Sequence, residues 1–519
     1  AFTGVINIIS RKSVNEAEIV AGSFGRLNSY VLLSQQQGDW QMDLSASSDS
    51  DSGDDYNSVD DNFNNDPAVR INTSDQRQME HIDFALHYKD TSLRLSHRQA
   101  SAKDFYTYET LSNGFNRYHT EASQFSVEQN FHWSQDISST LFLSFMDTEQ
   151  RVNSQFTAPG ALSAISQPSS DDPLLIKVLL RSESRQFKWH NDWQVQSQAK
   201  LQLGIDWLKQ EKTIGTGANN FDAVQLENGD FPIRYYGNFD NNSTAAKKEP
   251  RRALGIYSQY LYQLDDDISF NLGLRYDRYK DVASHTSPRF GLAYQLNDAH
   301  TLKLLYGEAF RAASLIEIDT PDALVLRGGV NLKHEIVKTW DMIWLFNTSR
   351  LQLSLGGFYN RYEDPIITRI VSGNIREFIN GESSEAMGLE LEVSQQLNHN
   401  WMLRGTFTRF SQLPDDAFRQ ADSLASMLVN YEQDVWNWNL TAIYHKESST
   451  PTGGSKLTLD DYWLINSKLR YRINSTWLTY VQIKNMLNEE YETAVQGNRL
   501  TEGVPNRGRE FSVGINWAI

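Results

Sequence analysis

Seven aspartates lie between residues 49 and 66: Asp49, Asp51, Asp54, Asp55, Asp60, Asp61 and Asp66. Serine, glycine and asparagine are interleaved among them. Such oxygens suit a hard cation like Ca2+, which takes roughly six to eight oxygen ligands. The Asp49-x-Asp51-x-Gly53 spacing is not that of an EF-hand, whose glycine falls one place later. Packing so many like charges without a counter-ion is unfavourable. The expectation is a calcium-ordered loop held by Asp49, Asp51, Asp54, Asp55, Asp60 and Asp61; the plainer alternative is a solvated acidic loop. A second group is aromatic and basic. Tyr106, Tyr108, Phe115, Tyr118, Phe231, Tyr235, Tyr236 and Phe239 fall in polar stretches, where rings offer rigid contact area to a ligand. Arg117, Arg234, Arg311 and Arg327 carry the planar fork that suits a carboxylate or an anionic chelate. For the rings, packing of one loop on another is the plainer alternative.

The elements that position these residues are strands. In Phe511-Ser512-Val513-Gly514-Ile515-Asn516-Trp517 every odd position is apolar and every even one polar or small. That period of two marks a strand with one greasy and one polar face. It returns at Ile82–Tyr88, Leu201–Trp207, Ile268–Tyr276, Phe290–Leu296 and Met387–Val393. Polar groups gather on the opposite faces, as in Asn466, Lys468, Arg470 and Arg472. Stretches of helical period are scarce. The longest apolar runs, such as Met342–Phe346, are far below the roughly 18 residues that a membrane helix needs.

Connections between strands alternate in length. Short polar links occur at Gly38-Asp39, Lys89-Asp90, 134–136, 265–267, 297–300, 347–350, 398–400 and Asn474-Ser475. Long polar stretches lie near 49–78, 100–122, 148–181, 211–250, 309–334, 363–384, 446–461 and 484–507. Long loops at one rim and short turns at the other characterise an outer-membrane barrel, and lipid demands that such a sheet be closed. Counting strands under this scheme gives an all-β, 22-stranded antiparallel transmembrane barrel with both ends on the periplasmic side. A barrel this wide needs something to fill its lumen.

Composition agrees. The 519 residues carry a net charge of −17, 12% aromatic residues and no cysteine. Disulfides and cysteine-based metal centres are excluded, and an acidic chain without a broad basic patch argues against nucleic acid as a partner. No Gly-x-Ser-x-Gly, His-Glu-x-x-His or phosphate-binding glycine loop is present, so no enzyme is expected and no catalytic cofactor is called for.

Four motifs then suggest a family. Gly4-Val5-Ile6-Asn7-Ile8-Ile9-Ser10-Arg11-Lys12 resembles the end of the plug domain in TonB-dependent outer-membrane receptors. Ser287-Pro288-Arg289-Phe290-Gly291-Leu292, followed by Tyr306-Gly307-Glu308-Ala309-Phe310-Arg311-Ala312, is similar to a paired-strand signature of that family. Lys484-Asn485-Met486-Leu487-Asn488-Glu489-Glu490-Tyr491 resembles its penultimate-strand motif, and Arg507-Gly508-Arg509-Glu510-Phe511 the start of its last strand.

The resemblance implies that residues 1–14 are the end of a plug and 15–519 the barrel. It implies a bacterial outer-membrane location, and as partners the bilayer with its lipopolysaccharide, a plug domain upstream or on another chain, TonB, and a metal-chelate ligand. The chain begins at Ala1 without an initiator Met, so an upstream piece is expected to have been removed or not shown. The function implied is TonB-dependent uptake of a ferric siderophore. Cobalamin comes second, because the Asp-rich stretch resembles the calcium-binding loops of cobalamin receptors. A plugless pore or structural surface barrel is the rival. Haem is disfavoured because Phe310–Asn331 contains no histidine and the second haem box is degenerate at Gly329–Glu335.

Overall fold

The computed structural model describes residues 14–60, 70–107, 110–112, 114–239, 241–244, 250–318, 326–329, 331–372, 375–414, 420–452, 455–494 and 503–519. The motif at 4–12, and with it nearly all of the expected plug segment, lies outside them. Twenty-two antiparallel strands close into a barrel. The first, Glu16–Gly22, pairs with the last, Glu510–Ala518, with Ile19 opposite Ile515 and Glu18 opposite Asn516. Two short strands, Asp55–Asp60 and Asn241–Thr244, extend the same sheet at the outer rim.

Register turns the period-two pattern into two continuous surfaces. Ile137, Trp193, Leu201, Tyr260, Leu272, Phe290, Tyr306 and Trp340 are successive cross-strand partners. They form one outward row around more than a third of the wall. Leu203, Leu272 and Ile515 are exposed on this outer face, and Leu391 joins it between Leu355 and Phe407. Beside the short turns, rings stack in pairs: Trp40 on Tyr88 at 4.3 Å, Trp436 on Tyr471 at 4.4 Å, Trp401 on Tyr431 at 4.6 Å. That girdle marks the periplasmic headgroup level.

The inner wall is polar and cross-linked. Lys200 and His190 meet Asp192 at 3.1 and 3.2 Å, and the His190 ring nitrogen Nδ1 lies 2.8 Å from the Tyr257 hydroxyl. Arg275 bridges Asp206 and Asp277 at 2.7 Å each. Its guanidinium lies across Gly255, where any Cβ would collide with it. The glycine is there for that close approach.

Ten inner-rim links are short, adding 197–198 and 434–435 to those expected. The outer rim is less uniform than the sequence suggests: the first outer link is just Ser23–Arg26, and 280–284 is also brief. The larger correction concerns strand length. Ile137–Gln155, Leu175–Gln196 and Ala199–Asn219 hold 19, 22 and 21 residues, whereas roughly 9–11 suffice to cross a bilayer. Above the lipid the outward positions turn from apolar to charged, as at Phe145 then Asp147, Glu149 and Arg151. Pairing continues there in water, where a greasy stripe is not needed.

A charge on the outward row should cost about 2–4 kcal/mol at mid-depth. Leu272→Arg is therefore expected to lower the yield of barrel folded into lipid vesicles far more than Asn271→Arg, one residue away on the inner face. Equal yields would reverse the assignment of faces.

Candidate functional site

Two arginine–carboxylate clusters organise the outer rim. The first stands at the seam of the barrel. Asp51 ends the strand Trp40–Asp51, and Asp75 lies near the start of its partner, Arg70–Tyr88. Arg507, in the link before the last strand, donates from Nη2 and Nη1 to Asp51 at 2.7 and 3.1 Å, and from Nε to Asp75 at 2.7 Å. All three side chains are nearly buried. The other Asp75 oxygen accepts the Asp54 amide at 2.8 Å. Between them Gly53 turns with φ +78°, pressed against the Asp75 backbone so closely that no side chain fits. Arg26 holds Asp49 in a two-pronged pair at 3.1 and 2.7 Å. Burial, reinforced by Asp75 and Asp54, pushes the Tyr56 phenol up.

The second cluster follows the strand His300–Arg311. Arg311 binds Glu317 through both terminal nitrogens at 2.9 Å and also binds Glu335. Glu317 belongs to a one-turn helix, Leu315–Ile318, whose first amides are capped reciprocally. The Ser314 hydroxyl accepts from the Glu317 amide, and the Glu317 carboxylate accepts from the Ser314 amide. This is the Ser-x-x-Glu capping box. Burial opposes ionisation of Glu317, but the Arg311 guanidinium and the Ser314 amide outweigh it and hold the carboxyl below its usual range.

A third unit is a lobe with its own apolar core. Leu162, Leu174, Ile176, Val178, Phe221 and Ile233 are buried together, with Tyr235 packed against them. The links 156–174 and 220–239 meet in a short parallel pairing of Ser166–Gln167 with Ile233–Arg234. Asp222 caps the helix Ala223–Asn228, and Gly229 ends it in the left-handed conformation.

Facing the lumen beneath these units is a cavity of about 370 Å³. Arg98, Tyr118, Gln150 and Lys212 line its wall, while Ser314 and Leu315 close it from the far side. The segment after Arg311 therefore reaches across the barrel mouth. Cations, a phenol and an amide converge here, a set able to grip an anionic, oxygen-rich ligand.

The residues singled out in the sequence are distributed as follows. Tyr118 lines the cavity and accepts a hydrogen bond from Gln150. Tyr235 and Tyr236 hold the lobe: the Tyr235 ring lies 4.7 Å from Phe221, and the Tyr236 hydroxyl donates to Asp222 at 3.0 Å. Tyr106 packs on buried Leu111. Phe115 stacks on Phe239 at 6.1 Å, with Lys177 above Phe239 at 3.8 Å. Both terminal nitrogens of Arg311 are held by Glu317. Arg117, Arg234 and Arg327 are exposed, Arg234 lying over the Tyr236 ring at 5.3 Å. Tyr108, Asp61 and Asp66, and the side chain of Asp60, lie outside the described residues.

For Asp49 and Asp51 the neutralising charge is thus a guanidinium. Among the described residues no group of three or more His, Asp or Glu side chains is placed to hold a metal ion. Sequence reasoning missed Arg26, Asp75, Glu317 and Glu335. Arg507 stood in a quoted motif without a role, and the Ser314-x-x-Glu317 spacing was legible as a cap.

Removing one partner of a buried ion pair costs about 3–5 kcal/mol. Arg507→Gln should therefore release the hairpin carrying Asp51 and Asp75, read as faster proteolysis at the outer rim, with Arg507→Lys intermediate. Unchanged proteolysis in both would show that the cluster is not what orders this rim. For Glu317 the native pKa lies below its ordinary 4.5. Its contribution is therefore present above that value and lost as pH falls through the native pKa. Protease resistance of the link after Arg311 should hold from neutral pH down through 4.5, where a free glutamate titrates, and be lost only at more acid pH. Glu317→Gln should abolish that transition.

Comparison with known proteins fits this geometry. Residues 22–486 match the family described as TonB dependent receptor-like, beta-barrel. The vitamin B12 transporter BtuB of Vibrio cholerae is 21% identical across 100% of this chain and 76% of its own length. The protein named "Probable TonB-dependent siderophore receptor PirA" of Acinetobacter baumannii is 24% identical over 58% of this chain and 40% of its own. Among solved structures, a mutant of the ferric enterobactin receptor PfeA from Pseudomonas aeruginosa superposes with a TM-score of 0.75 at 14% identity, covering 97% of this chain and 80% of that one. The chain belongs to the TonB-dependent receptor β-barrel family of the bacterial outer membrane.

Proposed function

We propose that this barrel takes up a ferric siderophore across the outer membrane. In this reading the outer rim binds the chelate and TonB displaces a plug joined through residues 1–14, opening the polar lumen. The protein supplies affinity and a path and performs no bond chemistry. The observation that supports a siderophore is the cavity at the mouth, where Arg98 and Lys212 face the lumen beside Tyr118 and Gln150. Two cations there suit an anionic chelate. Relatives named for siderophores agree with it.

A second reading has one specific support, the likeness to BtuB along the whole of this chain and 76% of BtuB. There the cargo is cobalamin, and calcium held by Asp54, Asp55, Asp60 and Asp61 orders the outer hairpin. The plugless pore has no support among the relatives.

Tryptophan fluorescence of the purified barrel, titrated with ferric catecholate and hydroxamate chelates and with cyanocobalamin, separates the two. The siderophore reading expects saturable quenching by a ferric chelate, weakened about tenfold or more by Arg98→Gln with Lys212→Gln, since hydrogen bonds to charged groups contribute about 1.5–3 kcal/mol each. Binding of cyanocobalamin alone, strengthened by millimolar calcium and insensitive to those substitutions, would replace it with the second.

A further inference from the structure

The outward face changes character abruptly on four consecutive strands. On Leu175–Gln196 the outward apolar run that faces lipid ends at Phe187, and the next outward position is Arg185. On Ala199–Asn219, Trp207 gives way to Lys209; on Arg251–Gln263, Leu254 to Arg252; on Ile268–Tyr279, Tyr276 to Arg278. Register makes these neighbours, since Arg185 pairs with Lys209, Lys209 with Arg252, and Arg278 with Leu254. The boundary steps down one row at the fourth strand. Strands tilted by roughly 35–45° require such a step if the boundary is to stay level with the membrane. Four cations therefore stand side by side at one height, over about 15 Å of wall at the usual strand spacing, directly above a row of exposed Trp207, Leu254 and Tyr276.

Their surroundings differ from the rest of the rim. Arg252 and Arg278 are exposed and have no carboxylate partner among the described residues. Arg185 reaches Glu183 only at 3.8 Å, while Lys209 meets Glu211 at 3.1 Å. Further round the same wall, on the strands from His300–Arg311 to Ser384–Gln396, the corresponding positions carry both signs. Above Tyr306 stands Glu308 and above Met387 stands Glu385; Lys338 and Arg361, above Trp340 and Tyr359, both bind Glu363. In a chain of net charge −17, this stretch of the outer lipid boundary sets four cations against only Glu183 and Glu211 and so keeps a positive excess.

We propose that Arg185, Lys209, Arg252 and Arg278 bind the phosphates of a phosphorylated glycolipid in the outer leaflet, fixing lipid to this face of the barrel. Guanidinium groups match phosphate oxygens in geometry and charge. The rings beneath lie where acyl chains begin, and basic residues at a membrane surface attract anionic lipid. The proposal is independent of the cargo, since all four side chains point away from the lumen.

The test is lipid retention by the purified barrel, measured by mass spectrometry after exposure to mixed micelles of diphosphorylated lipid A or its dephosphorylated form. Heat-shifted electrophoretic mobility confirms folding. The unsubstituted barrel should retain the diphosphorylated lipid preferentially. Combined Arg185→Gln, Lys209→Gln, Arg252→Gln and Arg278→Gln should lower retention about tenfold or more, while Lys338→Gln with Arg361→Gln should leave it unchanged. If the fourfold variant does not fold, Arg252→Gln with Arg278→Gln, which breaks no internal pair, should still lower it severalfold. Equal retention of both lipids, or undiminished retention by the variants, would overturn the proposal, as would an equal loss in the control.

Discussion

Hydrocarbon offers no hydrogen-bond partner, so every backbone amide and carbonyl at membrane depth has to be satisfied within the sheet. Closure is the constraint on which the rest depends. It forces the strand Glu16–Gly22 onto Glu510–Ala518, the two ends of a chain of 519 residues. Once closed, the sheet has one face for lipid and one for the lumen, and each side chain's destination follows from its parity. A slip of one residue anywhere would send the Leu272 row inward and the Arg275 cluster into lipid.

The same closure explains why the outer rim is braced with ions. The links there lie in water, beyond the reach of the ladder that orders the wall, and outside the lobe around Phe221 they have little apolar surface to bury. Arg507 ties the last strand's approach to Asp51 and Asp75 across the seam, and Arg311 anchors the segment that crosses the mouth. Each guanidinium satisfies several carboxylate oxygens at once, which a lysine cannot match. Carboxylates that look in sequence like a cation-binding run are in part the complement of arginines supplied by the chain itself.

Legibility in the sequence follows the range of the interactions. Parity and strand number were readable because alternation is local: Phe511–Trp517 declares its greasy face within seven residues. Strand ends were not readable where pairing outruns the lipid, because the outward positions of Ile137–Gln155 become as polar as a loop. The partners of Arg507 were hidden by distance, Asp75 and Asp51 lying 432 and 456 residues away. Tyr235 and Tyr236 read as ligand contacts because an exposed ring and a ring packed on a small loop core have the same letter. The destination of Tyr235 depends on Phe221 and Ile233, which no local pattern connects to it.

The lobe around Phe221 stands on the outer halves of three paired strands, Ile137–Gln155, Leu175–Gln196 and Ala199–Asn219. Its core is made by the links together with Ile176 and Val178 at the outer end of the strand Leu175–Gln196, beyond the lipid-facing rows. Sequence change on the lobe's surface is therefore uncoupled from insertion and from barrel closure. In evolutionary terms this lets one wall carry many different heads. Divergence under pressure from phages, antibodies or a new nutrient can concentrate in the head, while the membrane-embedded rows drift slowly under the demand for parity.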